Sequence, residues 1–233
     1  MPKIPTHLAE VNERIARALS NCGRPADGVK LLAVSKTKPA SDIREAYQAG
    51  QRCFGENYLQ EALEKQEQLK DLTIEWHFIG PVQSNKTRAI AENFDWVHSV
   101  DRAKIAVRLN DQRPPHLPPI NICLQVNVDN ESTKSGVLLD ELDDLLESLS
   151  NLPHICVRGF MAIPAPRDDF EQQQQALLPL ANTLKRLQST PEIQRHHPHL
   201  DTLSMGMSGD LEAAVAAGST LVRIGTDIFG KRQ

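Results

Sequence analysis

The stretch TLSMGMSGDLEAAVAAGSTLVRIG, residues 202–225, decides the fold. TLSMGM reads as a strand, SGDLEAAVAAG as a compact helix closed by Gly218, and TLVRIG, residues 220–225, as the next strand. Working outward, the same unit recurs. HICVRGFMAI, residues 154–163, is a strand, and its helix carries Gln172 to Gln175 and runs through Leu187. INICLQVNV, 120–128, precedes a polar loop, NESTKSG, and a helix from Val137 to Leu149. DWVHSV, 95–100, leads to a helix over Ala103 to Leu109, and EWHFIG, 75–80, to a short one with Ala89 and Ile90. RCFGEN, 52–57, is followed by Leu59, Leu63, Gln66 and Leu69 in helical register, and LLAVSK, 31–36, by a helix from Ser41 towards Gly50. That makes eight strands, nearly every one with a helix behind it. A doubly wound sheet has the same local periodicity. Eight units favour closure, which removes every sheet edge. The expected fold is α/β, a single (β/α)8 TIM-like barrel over residues 1–233. Leu8, Val11, Ile15 and Leu19 add an N-terminal helix.

Three stretches stand outside the repeat. QRPPHLPP, 112–119, reads as a rigid exposed connection. TPEIQRHHPHL, 190–200, reads as irregular, and the tail TDIFGKR as a short turn or helix.

Composition sets the outer limits. The chain has 233 residues, 26 Lys plus Arg against 30 Asp plus Glu, and a formal net charge of −4. That balance excludes a largely disordered, highly charged chain and argues against an extended nucleic-acid footprint. The apolar runs are strand-sized, so no membrane span is expected. The opening MPKIPTHLAEVNERIARAL lacks the apolar region of a secretory signal. Cys22, Cys53, Cys123 and Cys156 form no CxxC pair, and three of them lie in apolar runs. Reduced thiols and a cytoplasmic setting are expected.

A barrel of this kind carries its chemistry at the carboxyl ends of the strands. Lys36 closes the first strand. A lysine there costs desolvation unless it is paired or used covalently, and a neutral amine attacks an aldehyde; a snorkelling lysine is the plainer reading. Ser208 and Gly209 open a helix whose free N–H groups can bind phosphate, or Ser208 is an ordinary N-cap with Asp210 in the first turn. Strand alternation puts Leu221 and Arg223 on one face and Val222 and Ile224 on the other. An inward Arg223 needs an anion, or a partner such as Glu56 or Asp129. Gly225 allows close backbone approach and Thr226 adds a hydroxyl, so adjacent strand ends could share one phosphate. Neither MGMSG nor RIGTD has P-loop or dinucleotide-binding spacing. His77 could serve as a pocket donor or a structural histidine, Lys134 as an anion-binding or solvated lysine, and Met161 as adaptable packing. His196, His197 and His199 lack matched Cys or acidic partners, so no metal site is expected.

Assembled in order, LLAVSKTKP, FGENYLQE, WHFIGPVQSNK, VNVDNESTKSG, RGFMAI, LSMGMSGDLEAAVAAGST and VRIGTDIFG make the chain resemble the pyridoxal 5′-phosphate homeostasis protein family along nearly its whole length. The resemblance implies a barrel like the amino-terminal domain of alanine racemase, with pyridoxal 5′-phosphate (PLP) as cofactor. It implies that Lys36 holds the cofactor aldehyde as an aldimine and that Arg223 faces the pyridine nitrogen. Ser208, Gly209, Gly225 and Thr226 match the phosphate-binding segments. Asn57, His77 and Met161 match pocket positions, and Lys134 a loop lysine tied to cofactor handling.

The function so implied is intracellular vitamin B6 homeostasis, with PLP held and passed to PLP-dependent apoenzymes. The alternative is a PLP enzyme such as an amino-acid racemase. That reaction needs acid–base groups on two faces of the substrate. The chain's end after IFGKRQ is expected to leave no room for a racemase's second domain, and Tyr47 and Tyr58 fall in helical segments. Robust turnover is therefore not expected, and a monomer is.

Overall fold

The computed structural model describes residues 3–131 and 133–231. Eight parallel strands close in sequence order: β1 (Lys30–Val34), β2 (Cys53–Glu56), β3 (Glu75–Phe78), β4 (Trp96–Val100), β5 (Ile120–Val126), β6 (Ile155–Ala162), β7 (Thr202–Ser204) and β8 (Leu221–Ile224). β8 pairs back onto β1, with Leu32 opposite Arg223. Around them run α1 (Lys3–Asn21), α2 (Ala40–Gln48), α3 (Leu59–Gln68), α4 (Thr87–Asn93), α5 (Ala103–Gln112), α6 (Leu142–Ser148), α7 (Phe170–Gln188), α8 (Pro191–His196), α9 (Leu211–Ala216) and α10 (Thr226–Phe229). This is the expected closed barrel with its additional N-terminal helix.

Period-two alternation divides each strand between an outer face under the helices and an inner face in the barrel. On β8, Val222 and Ile224 pack with α1, α9 and α10 through Ile15, Leu211, Val215 and Ile228. Leu221 turns the other way, onto Leu32 and Cys53. α1 is amphipathic and buries Ile4, Leu8, Val11, Ile15, Ala18 and Leu19, so it covers the barrel wall instead of standing apart.

Local departures have local causes. β1 stops at Val34, so Lys36 lies in the turn beyond the strand. β7 ends at Ser204 because Gly206 takes φ +100° and turns the chain; a Cβ there would lie 2.6 Å from that of Ala214. The helix expected from Val137 starts later. Val137 makes an isolated bridge to Val126, and a 3-10 turn, Leu139–Glu141, precedes α6. α8 occupies part of the passage read as irregular, since Pro191 suits a first helical turn and six residues are too few to show a period. The proline-rich connection is anchored at its start: buried Arg113 donates to the carbonyls of Ala91 at 2.6 Å, Phe94 at 2.8 Å and Pro118 at 2.8 Å.

Candidate functional site

The carboxyl ends of the strands enclose a cavity of about 250 Å³. Its lining gathers Lys36, Asn57, Met161, Ser208, Gly209, Arg223, Gly225 and Thr226, eight residues singled out from the sequence and spread over five strands or the loops after them. A larger cavity, about 430 Å³, opens among the amino ends of the strands, beside Lys30, Glu75, Trp96, Arg158 and Asp201. Two ion pairs line it, Lys30 with Glu75 at 2.6 Å and Arg158 with Asp201 at 2.6 Å.

The backbone on both sides of Lys36 is tied down. Ser35 donates through Oγ to Glu56 Oε1 at 2.6 Å, and its carbonyl accepts from Lys65 Nζ at 2.8 Å. Lys65 also bonds Glu56 at 2.8 Å and Glu61 at 2.5 Å. Glu61 in turn accepts the Thr37 amide at 2.6 Å. Thr37 sits at φ +64°, the left-handed region that a β-branched residue avoids. Burial pushes the Glu56 carboxyl up, against the opposing pull of Lys65 and Ser35. Sequence reading missed this network. The Glu61–Lys65 spacing of four is visible in the sequence, but its docking against Glu56 is not.

Arg223 reaches the cavity from inside the barrel wall. It donates through Nη1 to the carbonyl and the Oγ of Ser204, the latter at 2.8 Å, and through Nη2 to the Ala162 carbonyl at 2.9 Å. Neither Glu56 nor Asp129 is its partner: Glu56 belongs to Lys65, and Asp129 bonds Arg167 at 2.5 Å. Burial lowers Arg223 to about 10, which leaves it a cation at neutral pH. Nearby, Asn57 Oδ1 is buried without a hydrogen-bond partner.

Ser208 is not a helix cap. Asp210 takes the N-cap position of α9 and accepts the Met207 amide at 2.6 Å, so the carboxylate closes its own loop. A Cβ on Gly209 would meet no protein atom within 4 Å, and one on Gly225 would come to 3.0 Å from the Val34 carbonyl. Arg14 of α1 clamps the two loops together. It donates to the Ser208 carbonyl at 3.1 Å, Glu212 at 3.0 Å and Asp227 at 2.6 Å.

Two sequence candidates lie elsewhere. His77 is buried within the barrel, bonded to Glu75 at 2.7 Å, and does not line the cavity; burial lowers its pKa despite Glu75. Strand parity turns it inward, and its place within β3 sets it a layer below the mouth. Lys134 is held on its own loop by Glu131 at 2.8 Å and Asp129 at 3.5 Å, also outside the cavity lining. Cys53, Glu75 and His77 are the one group of metal-type ligands among the described residues, and the Lys30 ammonium already sits on its carboxylate.

This barrel, with a lysine turn, an inward arginine and two clamped loops at one mouth, matches the family model "Alanine racemase, N-terminal domain" over residues 6–233. The chain is 55% identical to the pyridoxal phosphate homeostasis protein of Pseudomonas aeruginosa, over 100% of this chain and 97% of that one. It is 52% identical to that of Escherichia coli K12, over 100% and 98%. The structure of PipY of Synechococcus elongatus with PLP bound superposes with a TM-score of 0.76 at 39% identity, covering 93% of this chain and 100% of that one. The chain belongs to the pyridoxal phosphate homeostasis protein family. No described helix is long and apolar enough to cross a membrane.

Proposed function

We propose that this chain is a PLP-holding protein of vitamin B6 homeostasis that keeps the cofactor on Lys36 and releases it to PLP-dependent apoenzymes. When bound, PLP supplies an aldehyde, a pyridine ring and a phosphate. The observation that carries the reading is the convergence, in one cavity, of an amine, a buried cation and two loops suited to an anion. The cavity fits such a ligand. Asn57 Oδ1 offers an unpartnered acceptor, and the space beside Gly209 is open where any side chain would project.

Each residue then has a task. Lys36 provides the nucleophilic amine from a backbone held by Glu56, Lys65 and Glu61. Ser208, Gly209, Gly225 and Thr226 form the phosphate seat, braced by Arg14. Arg223 presents only N–H donors, so a ring nitrogen facing it stays unprotonated. That weakens the ring as an electron sink and favours holding over turnover. Racemisation needs a second acid–base group opposite Lys36, and neither Tyr47 nor Tyr58 lines the cavity. The unit proposed is one domain, acting as a monomer in a reducing cytoplasm; free Cys22, Cys53, Cys123 and Cys156 support that setting.

The test is retention of PLP through gel filtration, paired with α-proton exchange on a panel of amino acids. The expected result is near-stoichiometric retention by the wild type, loss in Lys36→Ala, and negligible exchange in both. Rapid exchange abolished by Lys36→Ala would support the enzyme reading instead.

A further inference from the structure

The interior of the barrel holds a row of hydrogen bonds that neither the cofactor seat nor the apolar core explains. Arg223 Nη1 meets Ser204 Oγ at 2.8 Å, and Ser204 Oγ meets His98 Nδ1 at 2.7 Å. His98 Nε2 meets His77 Nδ1 at 2.8 Å, and His77 Nε2 meets Glu75 Oε1 at 2.7 Å. Ser204, His98 and His77 are each wholly buried. The row starts at the cavity on the carboxyl ends of the strands and finishes at the cavity on the amino ends, where Lys30 Nζ also binds Glu75 at 2.6 Å.

Its ends fix its direction. A guanidinium has no acceptor and a carboxylate has no donor. With both imidazoles neutral, one proton arrangement satisfies every member. Arg223 donates to Ser204, the Ser204 hydroxyl donates to His98 Nδ1, His98 Nε2–H donates to His77 Nδ1, and His77 Nε2–H donates to Glu75. Burial keeps both histidines neutral by lowering their pKa values, His98 well below its usual value. Trp96 stacks on His77 with ring centroids 5.3 Å apart and planes 10° from parallel, which holds the imidazole in the row.

We propose that Ser204, His98, His77 and Glu75 are positioning residues for the cofactor pocket, acting through Arg223 as a one-way hydrogen-bond row that crosses the barrel to a carboxylate at the opposite mouth. The row, with the Ala162 and Ser204 carbonyls, anchors the guanidinium without placing a carboxylate beside it. At most three of its five N–H groups meet these acceptors, so at least two are left for a ligand, and the positive charge stays at the base of the cavity. Buried polar rows of this kind act as units, so a change at Ser204 or Glu75 is felt at the pocket. The proposal rests on PLP occupying that pocket.

The first experiment uses cofactor-free protein labelled with ¹⁵N-histidine, read by two-bond ¹H–¹⁵N correlation at pH 7. His77 and His98 are both expected as neutral Nε2–H tautomers. An Nδ1–H tautomer or an imidazolium at either position overturns the row. The second measures PLP affinity and the bound cofactor's visible absorbance in wild type, Ser204→Ala, Ser204→Thr and His197→Gln. Ser204→Ala is expected to bind roughly tenfold more weakly with a displaced band. Ser204→Thr, which keeps the hydroxyl, recovers both, and His197→Gln, outside the row, changes neither. Unaltered affinity and band in a folded Ser204→Ala protein overturn the positioning role. Wild-type protein that binds no PLP overturns the pocket reading and with it that role, while the tautomers still report whether the row exists.

Discussion

Thr37 shows how closely the turn at the candidate nucleophile is specified. Its φ of +64° suits Asn better than a β-branched residue, yet its amide is pinned to Glu61. Strain kept beside a functional group points to a position under outside constraint. Thr37→Asn is expected to raise unfolding free energy by roughly 1 kcal/mol, read by urea titration; a loss of stability would show that the threonine methyl is needed. Lys36 was legible in the sequence because an ionised side chain at the end of an apolar run is costly, and strand ends are where barrels place their chemistry. Arg223 was legible for the same reason, as a charge within an otherwise apolar strand. His77 was offered as a pocket donor or a structural histidine, because strand alternation cannot say which depth of the barrel a side chain occupies. The partners of Arg223 were hidden because they are backbone carbonyls and the serine of β7, brought close by the pairing of β6, β7 and β8.

At the scale of elements, α1 and α3 do work that periodicity does not reveal. Hydrophobic spacing located α1 but not the bonds by which its Arg14 joins the loop before α9 to α10. Arg14→Ala is expected to weaken PLP binding about tenfold while leaving pyridoxal, which has no phosphate, nearly unaffected. Equal losses for both ligands would show that Arg14 supports the fold and not the phosphate seat. In α3, Lys65 neutralises Glu56 behind β2, with both side chains buried. Lys65→Met strands a carboxylate in the wall and should cost roughly 3–5 kcal/mol, and Glu56→Gln in the same chain should recover part of it. Urea unfolding of the two single variants and the double variant checks this; simple additivity would contradict the coupling. Short elements were the hardest to read. α8 has too few residues for a period, and the segment from Val137 was drawn into a strand bridge and a 3-10 turn before its helix could begin.

For the whole molecule, eight repeats of one unit favoured closure over a doubly wound sheet of the same periodicity, because closure leaves no edge. The interior polar row was not predictable, since its members lie on β3, β4, β7 and β8 and meet only across the closed barrel. That row has a global consequence. Burial lowers the pKa of His77 and of His98, while the unfolded chain binds these protons near 6.5. Stability is therefore complete above pH 6.5 and falls as pH drops below it, by up to about 1.4 kcal/mol per pH unit for each histidine. Urea unfolding at pH 7.5, 6.5 and 5.5 should show that decline, and a flat profile would contradict the neutral row. The central claim concerns where an aldehyde lands. Wild-type protein equilibrated with PLP, reduced with borohydride and digested should carry the phosphopyridoxyl mass on the peptide containing Lys36. The label on Lys134 or any other lysine, or no label at saturating PLP, would contradict it.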